Sequence, residues 1–220
     1  MKTWISGSLR LISIIVLAAL PIAAEAQTIE LKSARTGVLQ ADERERFLAA
    51  HNAARKAVGV EPVRWSDELS KYALESLDMQ KEQLIADAKE GWDKRLVALP
   101  AHRSDPKFGE NVAGWAGTSQ QPAERAVALW LSEKAAFDKL NADSEYRVGD
   151  EMGQTEKDES GQERPIIVGH YTAIVWRDTK EIGAAKLEFT LTDEQGDSRH
   201  FVAIVCNYNP PGNRRGSKPY

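Results

Sequence analysis

A single cysteine, Cys206, is all that this 220-residue chain contains, so no intrachain disulfide can form. That excludes the disulfide-stapled frameworks on which small exported domains commonly depend. Charge of one sign is not in marked excess: 33 acidic residues face 29 basic ones, for a formal net charge of −4. A mildly acidic chain has no electrostatic reason to seek nucleic acid or an anionic membrane. Beyond Ala23 no stretch is apolar enough to span a bilayer. There is also no serine elbow, no phosphate-cradling glycine loop and no HExxH pair. No internal repeat occurs.

What is present begins at the N-terminus. Lys2 and Arg10 precede an apolar run from Leu11 to Ala23, and Ala24-Glu25-Ala26 has the small-x-small form of a cleavage site. The run is short for a span, so residues 1–26 read as a secretory signal peptide, with an uncleaved anchor as the other reading. Cleavage would remove Lys2, Arg10 and Glu25, leaving 27 basic and 32 acidic residues and a charge of −5. The remaining length suits one domain with a substantial core.

Residues 27–41 read as a polar, flexible lead-in. Asp42, with Glu45 three residues on, has the form of a capping box, and Phe47, His51, Ala54 and Val58 follow at helical spacing until Gly59. Ser66 caps a second helix with Leu69, Ala73, Leu77 and Leu84 on one face. A helical piece is expected around Trp92 to Leu99, then a loop from Pro100 to Gly109. Pro122 opens a third helix whose face carries Ala126, Leu129, Trp130, Glu133 and Phe137. Residues 141–165 are dominated by acid, from Asp143 to Glu163, and read as a solvated, partly disordered loop, with a cation site as the sharper alternative. Ala185, Leu187, Phe189 and Leu191 alternate with polar residues as a half-buried strand. The continuous run from Phe201 to Cys206 reads as a central strand, and a turn from Thr192 to Ser198 makes the two a hairpin. Helices first and strands last predict an α+β layered domain.

Four histidines bear on chemistry. His51 lies on an apolar helical face and reads as a hydrogen-bonded core residue, and His200 reads as an exposed strand residue. His102 and His170 sit in loop contexts, where sites tend to be built. Glu110 stands between Gly109 and Asn111, and Glu133 is on an apolar face where an unpaired carboxylate is costly. Cys206, in a buried strand, reads as an inert thiol.

Four segments, in order, resemble the CAP superfamily of cysteine-rich secretory proteins, venom antigens and plant pathogenesis-related proteins. They are His51-Asn52-x-x-Arg55; His102 with Ser104 and Gly109-Glu110-Asn111; Trp130-x-x-Glu133; and the paired signatures Gly169 to Trp176 and Val205 to Asn213. The resemblance spans roughly Arg44 to Asn213. It implies an α+β three-layer α-β-α sandwich with a small, mainly antiparallel central sheet, as a CAP domain over residues 42–213 with a C-terminal tail at 214–220. It also implies a cleft lined by His102, Glu110, Glu133 and His170, able to hold a divalent metal such as zinc with modest affinity. Three departures stand out. The family's disulfides are absent, Arg103 separates His102 from Ser104 where the family has them adjacent, and Ala173 replaces the usual glutamine.

The signal-like start and the missing disulfides fit a secreted, extracellular or periplasmic protein, and the resemblance implies one that binds a lipid or other apolar ligand. Two alternatives stay open. One is an extracellular interaction or defence module with a protein partner. The other is a metal-dependent, peptidase-like hydrolase using Glu110 or Glu133 as base.

Overall fold

In a computed structural model the described residues are 28–220 apart from 93–98, 105, 144 and 159. The segment read as a signal peptide, residues 1–26, and most of the helical piece expected at Trp92 to Leu99 lie outside them. No described helix is long and apolar enough to cross a membrane.

Helix α1 covers Ala41–Ala57. It starts slightly earlier than expected, because Glu43 rather than Glu45 reaches back to accept the Gln40 N–H at 3.0 Å. It ends where Gly59 takes a φ of +73°, a conformation that favours glycine. Helix α2, Asp67–Glu90, is capped by Ser66, whose Oγ accepts the Leu69 N–H. The expected face of Leu69, Ala73, Leu77 and Leu84 is buried.

The expected third helix is two. Helix α3 spans Pro122–Leu131 and α4 spans Lys134–Leu140, with Ser132 and Glu133 in a turn between them. The Ser132 hydroxyl donates to the Leu129 carbonyl at 2.7 Å, a local bond that competes with helix continuation. Leu129, placed on the apolar face by its spacing, is exposed, whereas Ala126, Trp130 and Phe137 are buried.

Four strands form most of one sheet: β1 (Glu30–Val38), β3 (Gly109–Ala116), β6 (Glu181–Thr192) and β7 (Ser198–Asn209), in the order β1-β6-β7-β3. All three pairings are antiparallel. The short strand β2, Arg64–Trp65, pairs parallel with β6 beyond the point where β1 ends. The segment expected to be a flexible lead-in therefore contains an edge strand. Its polar side chains hid it, because an edge strand is held by its backbone ladder and is kept soluble by charge.

Strand periodicity divides the core into two layers. Val202, Ile204, Cys206 and Tyr208 of β7 join Ile182 and Ala184 of β6 under α1, α3, α4 and helix α5 (Gly169–Ile174). Phe201, Ala203 and Val205 join Ala185, Leu187, Phe189 and Leu191 under α2. This is a three-layer α-β-α sandwich around a mainly antiparallel sheet. The α2 layer sits so close that a Cβ on Gly183 would lie 2.4 Å from the Ser70 nitrogen, so that position requires glycine.

The acidic 141–165 segment has more structure than its composition suggested. It contains an antiparallel hairpin of β4 (Thr155–Lys157) and β5 (Glu163–Pro165), and Tyr146 is buried against Phe137. The C-terminal residues are docked too. Val148 N–H donates to the Ser217 carbonyl at 3.0 Å, Gly216 N–H donates back to Val148, and Arg177 N–H donates to Pro219.

Candidate functional site

The four predicted site residues assemble as two histidine–glutamate pairs. In the first, His102 Nδ1 lies 2.9 Å from Glu110 Oε1. Glu110 is the second residue of β3 and shares its strand face with Val112, on the α2 side of the sheet. Its side chain is 4% exposed whereas that of His102 is 58% exposed, so a buried carboxylate orients an accessible imidazole. The hydrogen bond to Glu110 raises the His102 pKa above its usual value. Glu110 also accepts from the Arg103 backbone N–H at 3.3 Å and from Asn207 Nδ2 at 3.4 Å.

In the second pair, His170 Nδ1 lies 2.5 Å from Glu133 Oε1. The other Glu133 oxygen accepts the backbone N–H groups of His170 and Tyr171 at 2.9 and 3.0 Å. The carboxylate that sequence placed at risk on an apolar face is thus fully bonded at the start of α5. The His170 ring stacks on Trp130 at a centroid distance of 6.3 Å. Asn111 ties this pair to the sheet by donating to the His170 carbonyl and to the Tyr208 hydroxyl, each at 3.0 Å.

A carboxylate at Nδ1 favours the neutral tautomer whose Nε2 carries the free lone pair, as in histidines that ligate metals. The donor count is the difficulty. Among the described residues, no group of three or more His, Cys, Asp and Glu side chains is arranged to hold a metal ion. The arrangement is two oriented imidazoles, each with its own carboxylate, and it does not fit a closed three-ligand site.

The other histidines stay outside the pairs. His51 is fully buried, with Nδ1 2.9 Å from the Phe47 carbonyl and Nε2 3.1 Å from the Tyr208 hydroxyl. Burial pushes its pKa down to about 4, so it is a neutral core residue, as expected. His200 pairs across β6 with Thr190. Burial pushes the Cys206 thiol well up, consistent with an inert side chain.

Gln80 had no signal in the sequence. From α2 its amide donates to the Ala101 carbonyl at 3.0 Å and accepts the Ala101 N–H at 2.7 Å. That reciprocal clip fixes the segment carrying His102 against the helix. The result is a groove of about 470 Å³ between α2 and residues 99–104, with Met79, Leu84, Leu99 and Ala101 along it and His102, Arg103 and Ser104 beside them. A second cleft, of about 480 Å³, lies between α4 and the β4–β5 hairpin, beside Glu133 and Ile167. A third, of about 580 Å³, is at the far end of the sheet around Thr118, His200 and Phe201.

A family model described as the cysteine-rich secretory protein family, CAP, matches residues 48–208. The chain belongs to the CAP family. Pathogenesis-related protein 1A of Nicotiana tabacum is 33% identical over 174 residues, covering 79% of both chains. Pathogenesis-related protein 1 of Arabidopsis thaliana is 32% identical over 179 residues, covering 81% of this chain and 83% of its own. The family match starts after β1, which is why the resemblance gave no hint of that strand. A solved structure, MpPR-1i, aligns over 80% of this chain and 93% of its own at 15% identity with a TM-score of 0.42; the fold is read instead from the layers above.

Proposed function

We propose that this is an exported CAP protein that binds an apolar ligand in the groove between α2 and residues 99–104. The observation that carries the reading is the groove itself. Its volume falls within the range of about 300–1,000 Å³ usual for small-molecule sites. Met79 and Leu99, both along it, are 65% and 56% exposed, an apolar surface that gains free energy when a ligand removes it from water. Export is supported by the signal-like residues 1–26 and by the family's description as secretory. A defence role outside the cell is supported by the relatives' names as pathogenesis-related proteins.

A second reading, a protein-interaction module, is favoured by a different surface. Ile167 and Met152 are 57% and 66% exposed, and Ile167 lies with the β4–β5 hairpin at the cleft beside Glu133. The hydrolase reading calls for His102 and His170 on one ion with Glu110 or Glu133 as base, and it draws no support from a described set of three or more such side chains around one point.

Uptake of a nonionic fluorescent alkyl probe by the mature protein tests the proposal, with a Met79→Asp/Leu99→Asp variant alongside. Wild type should take up the probe, and the variant should lose it while keeping its circular dichroism. Equal uptake by the two proteins rejects the groove.

A further inference from the structure

We infer that Met79 is an oxidation site, at which a peroxide turns the wall of the groove from apolar to polar and weakens uptake there; the inference rests on the groove reading above. The sequence holds three methionines, and Met1 lies in the segment read as a signal peptide. Met79 and Met152 are therefore the thioethers of residues 27–220, and they are 65% and 66% exposed. The other sulfur, that of Cys206, is fully buried in β7. Attack by a small soluble oxidant follows access, so it falls on the two methionines and spares the thiol.

The step balances with hydrogen peroxide as the oxidant. A lone pair of the thioether sulfur attacks one peroxide oxygen, and the S–O bond forms as the O–O bond breaks. The sulfur gives up two electrons, and the second oxygen leaves as water once it has taken the proton of the first. The product is a sulfoxide, a polar and chiral group in place of an apolar one.

The surroundings decide what that change does. Met79 projects from α2 and lines the groove with Leu84, Leu99 and Ala101. Leu84 is already buried, so Met79 and Leu99 are the large apolar side chains that a ligand would newly cover. A sulfoxide at Met79 makes one of the two polar, and an apolar ligand lying on it would strip water from the S–O group at a cost. Met152 lies in the 141–165 segment, away from the groove lining, and its oxidation leaves the groove as it was. The core face of α2 is Leu69, Ala73, Leu77 and Leu84, and Met79 has no part in it. Oxidation of Met79 therefore acts on binding and leaves the fold intact, and sulfoxide reductases can reverse it.

The test is uptake of the nonionic fluorescent alkyl probe by the mature protein before and after hydrogen peroxide, with peptide mass mapping to place the added oxygen. The decisive variant is Met152→Leu, in which Met79 is the remaining thioether. Mapping should show one added oxygen at Met79 and none at Cys206. Probe affinity of oxidised Met152→Leu should fall about tenfold, the scale of one large apolar side chain lost from the contact. Its circular dichroism should not change, and methionine sulfoxide reductases of both epimer specificities should restore uptake. Met79→Leu, compared with itself, should take up the probe equally before and after peroxide. If Met79 gains its oxygen and Met152→Leu keeps its uptake, the inference falls and the groove reading stands. It falls equally if Met79 resists peroxide while Met152 of wild type is oxidised, or if uptake and circular dichroism are lost together. If untreated wild type takes up no probe, the groove reading is wrong and the inference goes with it.

Discussion

His51 makes stability depend on pH in a way that can be worked from its surroundings. It is fully buried between Phe47, Trp130 and Tyr208, and both ring nitrogens are already bonded. Desolvation holds its pKa at about 4, against 6.5 for a free imidazole. The folded chain therefore keeps the ring neutral, while the unfolded chain takes up a proton as pH falls through 6.5. The contribution is complete above pH 6.5 and is lost progressively as pH falls towards 4. A tenfold difference in proton affinity between the two states is worth about 1.4 kcal/mol, so the full loss is about 3 kcal/mol. Urea unfolding between neutral pH and about pH 4.5 would measure it, with His51→Gln as the non-titrating control. Carboxylates lower stability in both proteins over this range, so the quantity that matters is the difference in slope. The variant should be less stable at neutral pH but lose clearly less on acidification. Parallel slopes for the two proteins would refute the burial argument.

Three further outcomes follow from the same structure. Arg55 is fully buried and donates to four carbonyls, of Glu61, Ile174, Trp176 and Thr179, so Arg55→Met should cost on the order of 4 kcal/mol in urea unfolding by leaving them unpaired. Gly183→Ala should cost at least about 2 kcal/mol, because the new methyl meets the backbone of α2 rather than a movable side chain. Zinc titration by calorimetry should show no tight stoichiometric site; one abolished by His102→Ala/His170→Ala would mean that the two pairs close around a single ion.

The sequence was most legible where side-chain patterning is dictated by packing. The alternation of Ala185 to Leu191 and the apolar run Phe201 to Cys206 are the two strands at the centre of the sheet, buried as their periods require. His51 and Cys206 were readable for the same reason. It was least legible where backbone or single polar bonds decide. Strand β1 is held by its ladder to β6 and carries little hydrophobic signal. The break between α3 and α4 turns on one Ser132 hydroxyl and on the bonds drawn to Glu133. The site residues His102, Glu110, Glu133 and His170 were named through the family's motifs, and the partition into two pairs needed the fold. Gln80 is one polar residue among many on α2, and only the position of Ala101 gives it a task.

Whether a ligand sits in the groove along α2 is tested most directly by amide chemical-shift mapping of the mature protein on addition of dodecanol. Binding there predicts shifts at Met79, Gln83, Leu84, Ala101 and Ser104, with the far end of the sheet unchanged. Shifts confined to Thr118, His200 and Phe201, around the larger cavity there, would contradict it.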